Sequence, residues 1–312
     1  MGSKHNFRFG VQCGGEFDGK SFRELARKIE DMGYSTLYLP DHFIDTVLAP
    51  LPALAIAAES TTTLNVGALV FDNDYKHPAV LAKEMATIDA LSGGRTELGI
   101  GAGWMRTDYD ALGLPYDSPG VRIARLDEAL QVVKGCFAPG KFSFSGDHYT
   151  IADYDSVPKP ASGHIPILIG GGAPKILRLA GREADIVGIN PNLRAGAVTA
   201  DAAKSASSEE TANKIGWIKE GAGDRFDDIE LQIRYFLHSI TDDKLGFAGA
   251  VAPAFDSTAE EVLASGAALI GTIEEMIDTL LERRAAWGVT YVVVGGDFFD
   301  QFAPVVAKLA GS

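Results

Sequence analysis

A stretch of five residues, Met32-Gly33-Tyr34-Ser35-Thr36, is nearly repeated close to the end of the chain as Trp287-Gly288-Val289-Thr290-Tyr291. Each copy follows an amphipathic helix pattern and leads into a short apolar run. The glycine stands where helices commonly end, at the residue that adopts a left-handed conformation. Both copies therefore predict a joint between a helix and a strand, and the repetition indicates one structural unit used early and late.

The patterns between these two joints alternate in the same way. Short apolar runs predict strands at 7–12, 36–39, 65–70, 96–100, 166–169, 185–189, 230–237 and 291–294. Helical spacing of apolar residues predicts helices at 21–32, 52–60, 78–91, 121–137, 174–181, 206–220, 272–287 and 298–309. Two of these helices begin with a capping-box pattern, Ser21 with Glu24 and Thr272 with Glu275.

Eight strand-helix units in 312 residues predict an α/β protein with a single (β/α)8 TIM barrel. A doubly wound open sheet is the alternative. The barrel is expected to occupy residues 1–312 as one domain, with insertion segments near 138–165, 190–212 and 238–268. The first segment includes a predicted hairpin at 142–149. Segments of this length more often form lids or partner surfaces than simple connections.

Composition limits the classes of partner. The chain carries 28 basic and 42 acidic residues, a net charge of −14, which argues against nucleic acid or an anionic membrane surface as the main partner. No apolar run is long enough to span a bilayer, and the first residues contain no apolar core of a signal peptide. The two cysteines, Cys13 and Cys136, are expected to be reduced thiols, which favours a cytoplasmic location.

Several chemistries lack their sequence patterns. The six histidines have no metal-ligand spacing, and there is neither an H-E-x-x-H nor a G-x-S-x-G motif. No metal is therefore expected. In a barrel of this kind the active site lies at the carboxyl ends of the strands. That rule selects five short stretches: Pro40-Asp41-His42, residues 71–74, residues 101–104, residues 170–173 and Asn190-Pro191.

The dipeptide Asp41-His42 follows the second strand. A histidine there can give or take a proton near neutral pH, and a neighbouring carboxylate can orient a ring. The alternative is an aspartate that caps the next loop over a packed histidine.

Two glycine-rich turns offer backbone access to a ligand. Gly170-Gly171-Gly172-Ala173-Pro174 leads from an apolar strand into a helix, which suits a phosphate at the helix N-terminus or a tight turn alone. Gly99 to Gly103 could leave clearance beneath a flat ring system, with Trp104 lining the pocket or belonging to the core.

Taken together, these strand ends resemble the bacterial luciferase-like family of flavin and deazaflavin oxidoreductases. The most specific part runs from His77 to Trp104 and includes Leu91-Ser92-Gly93-Gly94-Arg95. Further matches are Leu39 to Phe43, Ile167 to Gly172 and Ala180 to Asp185. Within the family the chain is most similar to the branch that uses deazaflavin coenzyme F420. The Asn73-Asp74 pair and Phe302 to Ala307 support that branch.

The resemblance implies roles for particular residues. Asp41 and His42 match a pair near the reacting face of the ring, with Asp41 also at the ring edge and His42 in proton transfer. Ala68-Leu69 matches the position of a strand bulge with a non-prolyl cis peptide, which backs the ring. Gly170, Gly171, Gly172 and Ala173 match the cofactor phosphate loop, and Ala102 and Gly103 lie beneath the ring. Asn73 and Trp104 are expected to shape the substrate pocket.

The chain departs from the family at one position. F420-dependent sugar-phosphate dehydrogenases carry a catalytic glutamate just after the fourth-strand glycine loop, where this chain has Trp104. It also has no clear match to their substrate-phosphate lysines. Sugar-phosphate oxidation is therefore not expected, and His42 becomes the leading proton-transfer candidate.

Three functions follow from this resemblance. The first is hydride transfer between F420 and a small organic substrate by a homodimeric enzyme. The second is a monooxygenase that uses reduced FMN from a partner reductase. The third is a non-catalytic homologue that serves as a binding or partner subunit. The sequence specifies neither the substrate nor the direction of hydride transfer.

Overall fold

The computed structural model describes residues 4–14, 18–44, 46–197 and 199–312. Within these residues, nine strands belong to one parallel sheet: β1 (Arg8–Gln12), β2 (Thr36–Leu39), β3 (Asn65–Ala68), β4 (Phe71–Asp72), β5 (Thr96–Gly101), β8 (Ile167–Gly171), β9 (Ile186–Ile189), β10 (Glu230–Arg234) and β13 (Val289–Gly295). Two strand pairs lie outside it: β6 (Phe142–Ser145) with β7 (Thr150–Tyr154), and β11 (Leu237–Ile240) with β12 (Ala268–Gly271).

The helices of the described residues lie between these strands, singly or in consecutive pairs. They are α1 (Gly19–Asp31), α2 (Pro50–Ser60), α3 (Pro78–Ser92), α4 (Arg106–Leu112), α5 (Pro119–Phe137), α6 (Pro174–Glu183), α7 (Ala200–Lys204), α8 (Ser208–Ala222), α9 (Lys244–Val251), α10 (Ala259–Ala264), α11 (Ile273–Trp287) and α12 (Phe299–Leu309). Short 3-10 turns cover Asn73–Tyr75, Gly223–Asp228 and Ala252–Phe255.

The sheet closes on itself. The order is β3-β2-β1-β13-β10-β9-β8-β5-β4, and β3 also pairs with β5. Because β3 and β4 are two parts of one strand position, the result is a closed barrel of eight parallel positions. The predicted TIM barrel is confirmed, and the open sheet is wrong. All carboxyl ends of the barrel strands therefore meet at one mouth.

The barrel interior contains a polar cluster as well as apolar side chains. The Arg8 guanidinium donates from Nε to Glu230 Oε1 over 2.8 Å, bonds Glu97 through another nitrogen, and lies 3.6 Å from the centre of the Tyr291 ring. Tyr38 bonds Glu97 and the Tyr291 hydroxyl. One arginine thus balances two buried carboxylates in the barrel.

Removing that arginine is expected to destabilise the fold strongly. Arg8→Met would leave the Glu97 and Glu230 carboxylates buried without their cation, which should lower the free energy of unfolding by about 3–5 kcal/mol. Urea unfolding measures the loss. Lys20→Met, at a side chain that is 86% exposed, is the control. A loss below about 1 kcal/mol for Arg8→Met would contradict the proposed balance of charge.

Several predicted boundaries differ from the structure. Helix α1 is capped by Asp18, whose side chain accepts from the Ser21 amide, so Ser21 is the third helical residue and the predicted Ser21–Glu24 box is wrong. The Thr272–Glu275 box is confirmed. The predicted strand 230–237 ends at Arg234, and Leu237 starts a second strand that pairs with β12. The hairpin extends to Tyr154.

The insertion segments contain distinct structures. Residues 138–165 form the β6-β7 hairpin, and residues 238–268 include most of β11 together with α9 and α10. Residues 190–212, apart from 198, include α7 and the start of α8. Cys13 and Cys136 are buried and unbridged. Across the described part of the chain, no helix is long and apolar enough to cross a membrane.

Candidate active site

A cavity of about 1240 Å³ opens at the carboxyl ends of the barrel strands. Its lining includes most of the predicted site residues: Asp41, His42, Leu69, Ala102, Gly103, Trp104, Gly170, Gly171, Gly172 and Ala173. The second and third insertion segments also line it, through residues 190–194, 202–204, 206–207, 255–257 and 261–262. The fold thus brings separate strand ends, and two of the three insertion segments, around one space.

His42 is held by a carboxylate that sequence reasoning missed. Its Nδ1 lies 2.7 Å from Oδ2 of Asp108, which is fully buried at the start of α4. Asp108 Oδ1 accepts from the backbone amides of Phe43 and Ile44 at 3.0 and 2.9 Å. Because the carboxylate accepts on both oxygens, Nδ1 of His42 is the donor. This arrangement leaves Nε2 for a ligand in the cavity.

Aromatic side chains contact both members of the His42-Asp108 pair. The rings of His42 and Trp104 meet edge to face, with centroids 5.5 Å apart. The Tyr75 hydroxyl donates to Asp108 Oδ2 over 3.3 Å. A signal for Asp108 was present in the sequence, since it follows Trp104 in the segment after the fourth barrel strand, where active-site residues are expected.

Asp41 stands beside a second buried carboxyl, that of Asp72. Asp41 Oδ2 accepts from the Asp72 amide over 3.1 Å, and burial raises the pKa of Asp41. Burial also raises the pKa of Asp72 to about 7, although hydrogen bonds from the Asp74 amide and the Tyr109 hydroxyl counteract it. Asp72 also lines the cavity. Two carboxyl groups with raised pKa values therefore lie on the same side of the mouth as His42.

The raised pKa of Asp72 predicts a pH-dependent stability. Between its ordinary pKa of 3.8 and its folded value of about 7, the folded state keeps a proton that the unfolded state has released. Ionisation of Asp72 therefore destabilises the fold as pH rises through this window, by up to about 4 kcal/mol. The free energy of unfolding of Asp72→Asn, relative to that of the wild type, should therefore increase as the pH rises from 4 to 8. Urea unfolding at several pH values measures this difference. Asp110→Asn, at an exposed residue, is the control, and a difference independent of pH would contradict the assignment.

The third strand position is interrupted at the mouth. β3 ends at Ala68, the non-prolyl cis peptide joins Leu69 to Val70, and β4 begins at Phe71. The break lies at the predicted place, although the cis bond comes one residue later than Ala68-Leu69. The Leu69 carbonyl accepts from Gln12 Nε2 over 2.6 Å, and Leu69 lines the cavity. Ala68 is fully buried and does not line it.

The glycines of the fourth strand end are explained by the chain's own packing. A Cβ at Gly99 would collide with the Ala68 carbonyl oxygen, and one at Gly101 would lie 2.8 Å from Val70 Cγ2. Gly103 has a φ of +74°, and a Cβ there would collide with the Tyr109 hydroxyl. The space that these glycines leave, which the sequence analysis assigned to a ring system, is thus taken up by the interrupted strand and by the Tyr109 side chain.

The turn from Gly170 to Ala173 leads into α6 at the cavity wall. Ala173 is the N-cap of α6 and provides no side-chain cap, so the first-turn amides are not satisfied by a capping side chain. A Cβ at Gly172 would collide with the Pro191 carbonyl oxygen and approach that of Asn190 to 2.6 Å. The glycine lets β8 and β9 end close together, and the turn presents uncapped amides to an anion.

Basic side chains surround the same side of the cavity. Lys175, Arg178 and Arg194 are exposed at its edge, and Arg122 is buried in its wall. Arg122 donates to the carbonyl oxygens of Ala102 and Asp117 and lies 4.1 Å from the centre of the Tyr116 ring. Arg178 also pairs with Glu220, and Lys175 donates to the Gly120 carbonyl oxygen over 3.1 Å, so these cations lie at the cavity edge with partners of their own.

Asn73 lies apart from the cavity lining. Its side chain is 2% exposed, its Nδ2 donates to the Tyr149 hydroxyl over 3.3 Å, and its Oδ1 has no hydrogen-bond partner among the described residues. Asn73 thus contacts the β6-β7 hairpin and not the cavity. Trp104, the other residue predicted for the substrate pocket, does line the cavity.

Comparison with known proteins identifies relatives. A model of the family described as luciferase-like monooxygenase matches residues 2–215. An F420-dependent glucose-6-phosphate dehydrogenase of Amycolatopsis mediterranei is 29% identical over 183 residues, 54% of this chain and 53% of its own length. An FMNH(2)-dependent dimethylsulfone monooxygenase of Pseudomonas putida is 34% identical over 134 residues, 43% of this chain and 37% of its own length.

The chain therefore matches about half or less of the length of these curated relatives. A solved structure shares the fold across almost the whole chain: the F420-dependent tetrahydromethanopterin reductase of Methanopyrus kandleri, with a TM-score of 0.76 and 20% identity. The match covers 98% of this chain and 99% of the reductase.

Proposed function

The chain belongs to the luciferase-like monooxygenase family, and from this premise we propose that it is an F420-dependent oxidoreductase that transfers a hydride between the coenzyme and a small organic substrate. The observation that carries the proposal is the Asp108-His42 pair at the wall of a large cavity, which Asp41 and a glycine-rich turn with uncapped helix amides also line. The names of relatives and structural neighbours support F420 as the cofactor.

The residues at the mouth fit such a cofactor. The first-turn amides of α6 and the Lys175 ammonium group would hold its phosphate, and the break at Leu69 with Ala102 and Gly103 would form the surface beneath its ring. Asp41, with its raised pKa, can donate a hydrogen bond at the ring edge when protonated. When bound, F420 supplies the hydride chemistry.

His42 is proposed to move the proton that accompanies hydride transfer. The Asp108 carboxylate fixes the Nδ1–H tautomer, so Nε2 can accept a proton from the substrate or, once protonated, donate one. The Phe43 and Ile44 amides hold Asp108 in turn, so the orientation of the His42 ring is also fixed. Trp104 limits the space beside the His42 ring. It also occupies the position where sugar-phosphate dehydrogenases have a glutamate. We therefore do not propose the sugar-phosphate substrate of those relatives for this chain.

A monooxygenase that uses reduced FMN is the second candidate. The similarity to a FMNH(2)-dependent monooxygenase over 134 residues favours it. The fold and the mouth residues are compatible with either cofactor, because both carry a phosphate and a flat tricyclic ring.

Binding titration separates the two candidates. The purified full chain is titrated with F420 and, separately, with FMN, while the fluorescence of each cofactor is followed. We expect saturable binding of F420. We also expect the absorbance of the bound coenzyme, oxidised or reduced, to change when substrate is added. Tight binding of FMN without affinity for F420 would reject the proposal. Binding of neither would favour the non-catalytic homologue.

We also propose that the enzyme is a cytoplasmic homodimer. The early barrel helices offer a packing face, since Val80 and Leu91 on α3 are 48% and 83% exposed. A dimeric mass in solution is expected, and a monomeric mass at micromolar concentration would contradict it.

A further inference from the structure

The inward face of β10 carries three polar side chains, and the last of them has no hydrogen-bond partner among the described residues. Glu230, Gln232 and Arg234 alternate along the strand and therefore share a face. Glu230 bonds Arg8, and Gln232 donates to the Tyr38 hydroxyl over 3.3 Å. Arg234 ends the strand at the mouth and lines the cavity. The two deeper groups are satisfied within the barrel, whereas the third faces the space that a ligand would fill.

The guanidinium of Arg234 has neither a hydrogen bond nor an ion pair with any described residue, and its Nε is buried without a partner. Its guanidinium lies 4.2 Å from the centre of the Phe236 ring. Asp297 is the carboxylate that acts on its charge, but this side chain is 81% exposed and lies 3.9 Å from His238. Burial lowers the pKa of Arg234 to about 10, so it stays protonated at neutral pH. The side chain is half-buried with its Nε enclosed, and a cation in such a place is costly without a counter-ion unless an anion binds to it.

Asp297 and His238 are the titratable groups that interact electrostatically with Arg234, while several apolar side chains follow it in the cavity lining. Phe236, Leu237, Val262 and Ala267 line the adjoining part of the cavity. In this environment an arginine binds a carboxylate or phosphate more strongly than in water, and its planar fork suits two oxygen atoms of one group.

We propose that Arg234 binds an oxyanion of the substrate, a carboxylate, phosphate or sulfonate group, so that the enzyme acts on anionic organic compounds with an apolar body. The identification of this anion as part of the substrate rests on the proposed function. The position of Arg234 supports that assignment. Arg234 lies at the end of β10, and β9 separates this strand from β8, whose glycine-rich turn is proposed to hold the cofactor phosphate. The arginine and the phosphate turn therefore belong to different strand positions of the mouth.

The test follows the side-chain resonance of Arg234 itself. In a spectrum of the ¹⁵N-labelled full chain, the Arg234 Nε–H signal is the arginine signal that disappears in Arg234→Gln. Acetate and inorganic phosphate are added at constant ionic strength, first to the free protein and then to protein saturated with F420 or FMN. The signal of Arg122, whose Nε already donates to the Ala102 carbonyl, is the internal control.

A saturable shift of the Arg234 signal, retained in the cofactor-saturated protein and absent for Arg122, is the expected result. The proposal is overturned if the signal does not respond to either anion. It is also overturned if the cofactor alone shifts the signal and removes the response, because the arginine then binds the cofactor. Neither outcome requires turnover, so failure of this proposal is distinguishable from failure of hydride transfer.

Discussion

Replacing His42 with alanine is expected to lower the turnover number by a factor of about 10²–10⁴, because the variant lacks the group that moves the proton. The affinity for F420 should change little, since the proposed phosphate contacts come from α6 and Lys175. Single-turnover absorbance measurements with F420 give the rate, and fluorescence titration gives the affinity. The matched control is His164→Gln, because His164 also pairs with an aspartate, Asp185, but is 59% exposed outside the cavity lining.

Asp108→Asn tests the orientation of the same histidine. Asparagine keeps the shape and can accept from the Phe43 and Ile44 amides, but it removes the negative charge from Nδ1. With its oxygen facing those two amides, the asparagine turns its NH2 group towards Nδ1 of His42, so the proton of the ring should move to Nε2. Nε2 can then no longer accept a proton, and we expect the turnover number to fall while the affinity for F420 changes little. An unchanged turnover number in both His42→Ala and Asp108→Asn would remove these residues from the mechanism.

The second large effect is expected at Gly172. In Gly172→Ala the new Cβ would collide with the Pro191 carbonyl oxygen, which is main chain and cannot move aside independently. The turn into α6 must then shift, and the amides that are proposed to hold phosphate lose their alignment. We expect the dissociation constant for F420 to rise by about two orders of magnitude.

The control for this variant is Gly216→Ala in α8, where a Cβ would meet no atom within 4 Å. Alanine is favoured over glycine in a helix by about 1 kcal/mol, so this variant should be as stable as the wild type or more so, with unchanged cofactor affinity. Thermal unfolding of both variants separates loss of the fold from loss of the site. A folded Gly172→Ala protein that binds F420 normally would contradict the proposed phosphate position.

The strand and helix pattern could be predicted because its signals are local. Gly33 and Gly288 end helices α1 and α11 with positive φ, and apolar runs mark the buried strands. The cap of α1 was misplaced because Ser21 can serve either as the cap or as the third helical residue. Asp18 makes the choice by accepting two amide hydrogen bonds. The end of β10 was also missed, since apolar residues continue into β11 without a break.

The site was predictable only in part. Strand-end position was enough to select Asp41, His42, Trp104 and the turn at Gly170, all of which line the cavity. The partner of His42 could not be chosen, because Asp108 is 66 positions away in the chain and its contact depends on how the segment after β5 folds back. The place of Asn73 outside the cavity lining depends on a similar contact. It follows a strand end, but it contacts Tyr149 of the hairpin.

The structure of the protein in complex with F420 tests the central claim most directly. We predict that the phosphate group lies against the first turn of α6, that the ring lies over Leu69, Ala102 and Gly103, and that Nε2 of His42 faces the space beside the ring. Density for F420 with the phosphate at another strand end, or a ring out of reach of His42, would contradict the account. So would a cavity that takes up FMN but remains without F420 at saturating concentration.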